Sequence, residues 1–87
     1  SIKRITEYAK MLSLKALVPQ PQQKEITNFY NSVVNSMPEE DRNIPQVREL
    51  QEILPSGIGM HHSGLLPILK EAIEVLYSRG LIKILFG

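Results

Sequence analysis

The sequence contains no cysteine, which excludes a disulfide framework, a thiolate metal centre and a cysteine nucleophile. That absence rules out a small secreted unit stapled by disulfides. Net charge is nearly missing as well: ten Lys and Arg against nine Asp and Glu leave +1, so no field of the whole chain attracts nucleic acid. Any such partner must be met by a local patch. Long apolar runs are also lacking, because Lys, Glu or Pro interrupts each one within a few residues. Neither a membrane span nor a signal peptide is recognisable. The expectation is an intracellular protein with no membrane partner, and the composition favours neither nucleus nor cytoplasm.

What is present suits one small unit. The 87 residues are 43% hydrophobic, and a chain of this size buries only about 60 to 65% of its unfolded surface. In the first half the apolar residues recur at helical spacing. Ile2, Ile5, Ala9 and Leu12 line one side and Lys3, Arg4, Glu7 and Lys10 the other, predicting a helix from about Lys3 to Leu14. After the Pro19 to Pro21 turn, Ile26, Phe29, Tyr30, Val33, Val34 and Met37 form the stripe of a second amphipathic helix. Pro38 to Asn43 is a polar connector whose Glu39, Glu40 and Asp41 read as a solvated loop. Asn43 with Pro45 can start a third helix carrying Val47, Leu50 and Leu54, closed by Pro55 and Gly57.

From Gly57 the pattern becomes that of an α/β fold. Ile58 to His61 reads as a short strand, Leu66 to Arg79 as a helix capped by Gly80, and Leu81 to Phe86 as a nearly continuous apolar strand. Such a run suits a parallel strand covered on both faces. Residues 57–87 therefore read as one βαβ unit with a right-handed crossover, behind a mainly helical part over residues 1–56. Two parallel strands do not complete a sheet, so the chain is expected to be part of a larger parallel-sheet domain.

The residues between strand and helix, His61, His62, Ser63 and Gly64, fall at the carboxyl edge of that sheet, where open α/β sheets hold ligands. A phosphate there could accept bonds from the amides near Ser63 to Leu65 and from the Ser63 hydroxyl, with Gly64 permitting close approach. Other chemistries compete for the same residues. Adjacent strand histidines point to opposite faces, which argues against a shared metal ion, and no residue orients either ring as a general base. A purely structural role, with one ring packed beneath the corner and Ser63-Gly64 as a cap, is also open. Lys70 and Glu74 have the spacing of an i,i+4 surface pair.

Two stretches resemble a known family. Gly57 to Glu71, Gly-Ile-Gly-Met-His-His-Ser-Gly-Leu-Leu-Pro-Ile-Leu-Lys-Glu, and Glu74 to Phe86, Glu-Val-Leu-Tyr-Ser-Arg-Gly-Leu-Ile-Lys-Ile-Leu-Phe, closely resemble the second RecA-like domain of superkiller-type, exosome-associated DExH-box RNA helicases. Glu40 to Val47 is similar to the connector preceding this block, and Ser1 to Ala9 to the helix after the family's motif IV strand. Leu14 to Met37 is the least diagnostic part. The resemblance implies a partial P-loop helicase fold, with residues 1–87 as part of the second RecA-like domain.

It also implies a role: an ATP-dependent RNA helicase of the 3′–5′ type in RNA processing or decay with the exosome. By resemblance to motif IVa, His61, His62, Ser63, Gly64 and Leu65 would touch the RNA backbone. Ser1, at the end of motif IV, and Lys3 would lie near phosphate. No catalytic or metal-binding residue is implied. The implied partners are single-stranded RNA, the first RecA-like domain and exosome-associated proteins. ATP and Mg would serve the intact parent but not this chain alone, since it has no Walker A loop, no Asp-Glu-x-His box and no arginine-bearing motif VI. Gly87 stands where the family has the Ala that opens motif V, so a fragment is expected. The alternative is a non-catalytic interaction module that turns the Ile26 to Met37 stripe toward a protein partner.

Overall fold

In the computed structural model, which describes residues 2–13 and 18–87, prolines and glycines mark most of the element boundaries. Helix α1 covers Ile2–Ser13; the predicted end at Leu14 lies outside the described residues. Helix α2 (Gln20–Asn35) begins after Pro19 in extended conformation and carries Pro21 in its first turn, where a missing N–H costs nothing. Helix α3 (Pro45–Ile53) starts the same way on Pro45 and runs into a short 3-10 turn, Leu54–Ser56. Strand β1 (Ile58–Met60), helix α4 (Pro67–Ser78) and strand β2 (Ile84–Phe86) complete the order. The α/β reading holds: the two strands pair in parallel, Ile58 opposite Ile84 and Met60 opposite Phe86.

The second helix turns its stripe inward. Ile26 and Tyr30 are buried on α2, and Met37 is buried just beyond its end. These three form the core with Leu50, Ile53 and Leu54, while Phe29, Val33 and Val34 of the same stripe are half-buried. The Tyr30 hydroxyl donates to the Val47 carbonyl at 2.8 Å, joining α2 to α3. Burial pushes its phenol well above the ordinary value. The acidic run forms a single 3-10 turn, Glu39–Asp41. Beside it, Arg42 donates to the carbonyls of Met37 and Asn35, closing the end of α2.

Two glycines close elements in the left-handed region. Gly57, at φ 84°, ends the 3-10 turn, and a Cβ there would stand 3.0 Å from Val18 Cγ1. Gly80, at φ 73°, ends α4 with nothing near its absent side chain. There Gly80 N–H donates to the Tyr77 carbonyl and Leu81 N–H to that of Leu76, the paired bonds of a Schellman cap.

The second strand is shorter than its apolar run predicts. A ladder can extend only as far as its partner, and β1 has three residues. Leu81 and Ile82 are instead buried in the connection ahead of the strand. Nor is β2 covered on both faces: Leu85 is 40% exposed.

Helices α1 and α3 pack against β1, and α2 against α4. Thr6 donates to Met60 Sδ at 3.5 Å, while Lys10 pairs with Glu52 near the end of α3. No helix among the described residues is long and apolar enough to cross a membrane.

Gly80→Ala is expected to cost about 1 to 2 kcal/mol from left-handed strain alone, and Gly57→Ala more, because Val18 must also move; urea unfolding of the two variants checks the order. Tyr30→Phe removes a bond worth about 1 kcal/mol. Because the buried phenol keeps its proton where the unfolded chain has lost it, stability falls as pH rises past about 10. Tyr30→Phe is expected to flatten that alkaline slope, read by unfolding at roughly pH 8 and pH 11.

Candidate functional site

The carboxyl ends of both strands meet at one edge, and the candidate residues leave the sheet there. His61 still belongs to the ladder through its backbone, donating its N–H to the Phe86 carbonyl at 2.7 Å. From His62 the chain turns. The Leu65 N–H donates to the His62 carbonyl at 3.2 Å, and Leu65 itself is buried. That burial pins the far side of the turn and leaves Ser63 and Gly64 exposed at its tip.

The two imidazoles diverge. His61 Nε2 lies 3.2 Å from Glu74 Oε1 on α4; a carboxylate only accepts, so this nitrogen carries the proton. The contact is exposed, with Glu74 66% accessible, and such pairs add little stability. His62 folds back on its own turn, where its Nδ1 accepts the Gly64 N–H at 3.1 Å. In the neutral ring that leaves the proton on Nε2, which has no protein partner among the described residues.

These bonds narrow the expected amide cradle for phosphate to the Ser63 N–H, which has no acceptor among the described residues. The Gly64 N–H is taken by the His62 ring, the Leu65 N–H by the His62 carbonyl, and the Leu66 N–H by Gln46 Oε1 at 2.7 Å. Pro67 has no N–H to offer, and the Leu69 N–H turns back to the Leu66 carbonyl. Nor does Gly64 leave room for a ligand: a Cβ there would meet His62 Cε1 and Nδ1 at 3.2 Å. The space belongs to the histidine.

Side chains at the tip remain available. Among the described residues the Ser63 hydroxyl bonds to no protein group. Lys70, one turn into α4, reaches back with Nζ 3.4 Å from the Ser63 carbonyl. The predicted Lys70 to Glu74 pair is replaced, since Glu74 faces His61 and Lys70 faces Ser63. Lys3 is exposed on the first turn of α1. Ser1 lies outside the described residues.

Sequence reasoning missed Gln46 and the role of Lys70. Gln46 lies 18 and 20 residues from its two backbone partners, and no local pattern marks such a contact. Lys70 offered a faint signal, being seven residues from Ser63 across a helix start.

Several known proteins are similar to this chain. The chain is 49% identical over 68 residues to the ATP-dependent RNA helicase mtr4 of Schizosaccharomyces pombe, covering 78% of this chain and 6% of that protein. It is 41% identical over 80 residues to the Exosome RNA helicase MTR4 of Mus musculus, covering 92% and 8%. To the Antiviral helicase SKI2 of Saccharomyces cerevisiae it is 41% identical over all 87 residues, which make up 7% of that protein. The chain thus spans less than a tenth of the length of these relatives. No protein-family model matches it.

The bond between Gly64 and His62 can be read directly. Nitrogen NMR of the His62 imidazole is expected to show the Nε2-protonated tautomer in the wild type. In Gly64→Ala the added methyl displaces the ring and that tautomer loses its predominance; identical ring spectra in both would show that the bond is not formed.

Proposed function

Since this chain belongs to the superkiller-type DExH-box RNA helicases, we propose that residues 1–87 form part of the second RecA-like domain of an ATP-dependent RNA helicase. Its proposed work is RNA processing or decay with the exosome, in the 3′–5′ direction. Within it, the turn from His61 to Leu65 holds the backbone of single-stranded RNA, and Ser1 and Lys3 lie along the same path.

One observation carries this reading. At the carboxyl edge of a parallel sheet, the exposed residue Ser63 carries an ammonium, Lys70 Nζ, on its carbonyl, and among the described residues that ammonium has no other partner. A phosphate oxygen can accept from the hydroxyl and from the His62 Nε2–H while Lys70 supplies the positive charge. Leu65 contributes as the buried anchor of the turn and Gly64 as the residue that leaves space for the ring. His61 fixes the turn's first backbone unit in the ladder. Contacts of this kind position a strand without reading its bases, as a motor that accepts many RNAs requires.

The residues here do not fit a nucleoside triphosphate. Gly57 closes a 3-10 turn, Gly59 would carry a Cβ into Ile82, Leu85 and Ile73, and Gly64 lies against His62, so none belongs to a phosphate loop ending in Lys and Ser or Thr. ATP chemistry, with its Mg ion, is assigned to the rest of the parent helicase, beginning with the first RecA-like domain.

The test uses the full-length helicase and fluorescent single-stranded RNA. Ser63→Asp is expected to weaken RNA binding about tenfold through like-charge repulsion and to slow unwinding, with its melting temperature unchanged. Lys70→Ala should lower the slope of log affinity against log salt by about 0.7, the value for one phosphate contact on a single strand. Crosslinking and unwinding equal to wild type in both variants would overturn the reading.

A further inference from the structure

We infer that Gln46 is the positioning residue of this RNA contact, holding the backbone of the turn so that Ser63 and His62 face the strand. The inference rests on the reading of the turn as an RNA contact.

Gln46 sits in the first turn of α3, directly after Pro45. Its carboxamide spans the turn from outside: Oε1 accepts the Leu66 N–H at 2.7 Å, and Nε2 donates to the Gly64 carbonyl at 3.2 Å. One planar group thus fixes two backbone units on either side of Leu65. Among the described residues no other side chain from outside residues 57–87 bonds to the turn's backbone. Of the remaining bonds, those that His62 accepts from Gly64 and Leu65 are internal, while His61 is tied to β2 through the Phe86 carbonyl and Lys70 reaches the Ser63 carbonyl from α4. Among the described residues, Gln46 alone hydrogen-bonds the turn to α3.

The side chain has no role in a phosphate contact itself. Both of its polar ends are occupied by backbone, and its first effect is on Leu66, whose N–H precedes a proline and has no helical acceptor. Without Gln46, the Leu66 N–H and the Gly64 carbonyl must turn to water. The tip bearing Ser63 then loses its fixed direction relative to Lys70.

Gln46→Met keeps the length and bulk of the side chain and removes both hydrogen bonds. In the full-length helicase this variant is expected to speed hydrogen exchange in peptides spanning residues 63–69 by about tenfold, and to weaken binding of single-stranded RNA about five- to tenfold. Its salt slope should match wild type, because no charged contact is lost. A merely structural role would lower the melting temperature while leaving the RNA affinity of the folded protein intact. If Gln46→Met binds RNA as wild type does while Ser63→Asp and Lys70→Ala bind it weakly, the turn grips RNA but Gln46 does not position it. If all three bind as wild type does, the RNA reading of the turn fails and the positioning role fails with it.

Discussion

Parallel pairing between β1 and β2 is the constraint on which the rest of the structure depends. Parallel strands cannot be joined by a tight turn, so the chain must travel from the end of one strand to the start of the next, and α4 is that crossing. With three residues in each strand, the ladder is reinforced at both ends. The Gly57 carbonyl accepts from the N–H groups of both Lys83 and Ile84, and the Phe86 carbonyl accepts from His61. The last of these bonds determines where the candidate site begins. His61 is the last residue whose backbone belongs to the sheet, and everything from His62 to Leu66 must turn into the helix within a few residues.

Much of this was legible because helical periodicity and chain breakers agree. The stripe from Ile26 to Tyr30, the proline starts of α2, α3 and α4, and the Gly80 cap all appear where their chemistry puts them. Strand length was less legible. An unbroken apolar run signals burial, and Leu81 and Ile82 are buried without pairing, since β1 is too short to offer them partners. The direction of the Ile26 to Met37 stripe was equally beyond local pattern: periodicity identifies an apolar face but not whether the chain itself covers it.

The candidate site divides along the same line. Its location followed from topology, because parallel strands deliver their carboxyl ends to one edge. Its bonding did not, because several acceptors compete for each group. Lys70 and Glu74 have the spacing of an ion pair, yet each finds a different partner on the turn. The amides of Gly64 and Leu65 have the right position for an anion, yet nearer acceptors occupy them. Gln46 was invisible because its partners lie a whole strand and turn away in the chain.

Sequestered amides change what kind of phosphate contact this turn can make. An open cradle of N–H groups would have to be ordered by its ligand, whereas a turn whose Gly64, Leu65 and Leu66 amides are already bonded would lose less freedom on meeting the proposed RNA strand. The proposed grip therefore shifts from backbone to side chains, and the His62 ring connects the two. Its Nδ1 lone pair takes the Gly64 amide, which fixes the proton on Nε2 and leaves that nitrogen as a donor; its bulk fills the space over Gly64. Histidine and glycine here work as one unit. A side chain at position 64 would crowd the ring at 3.2 Å and press on the bond that fixes its tautomer, so the glycine makes room for its neighbour's ring.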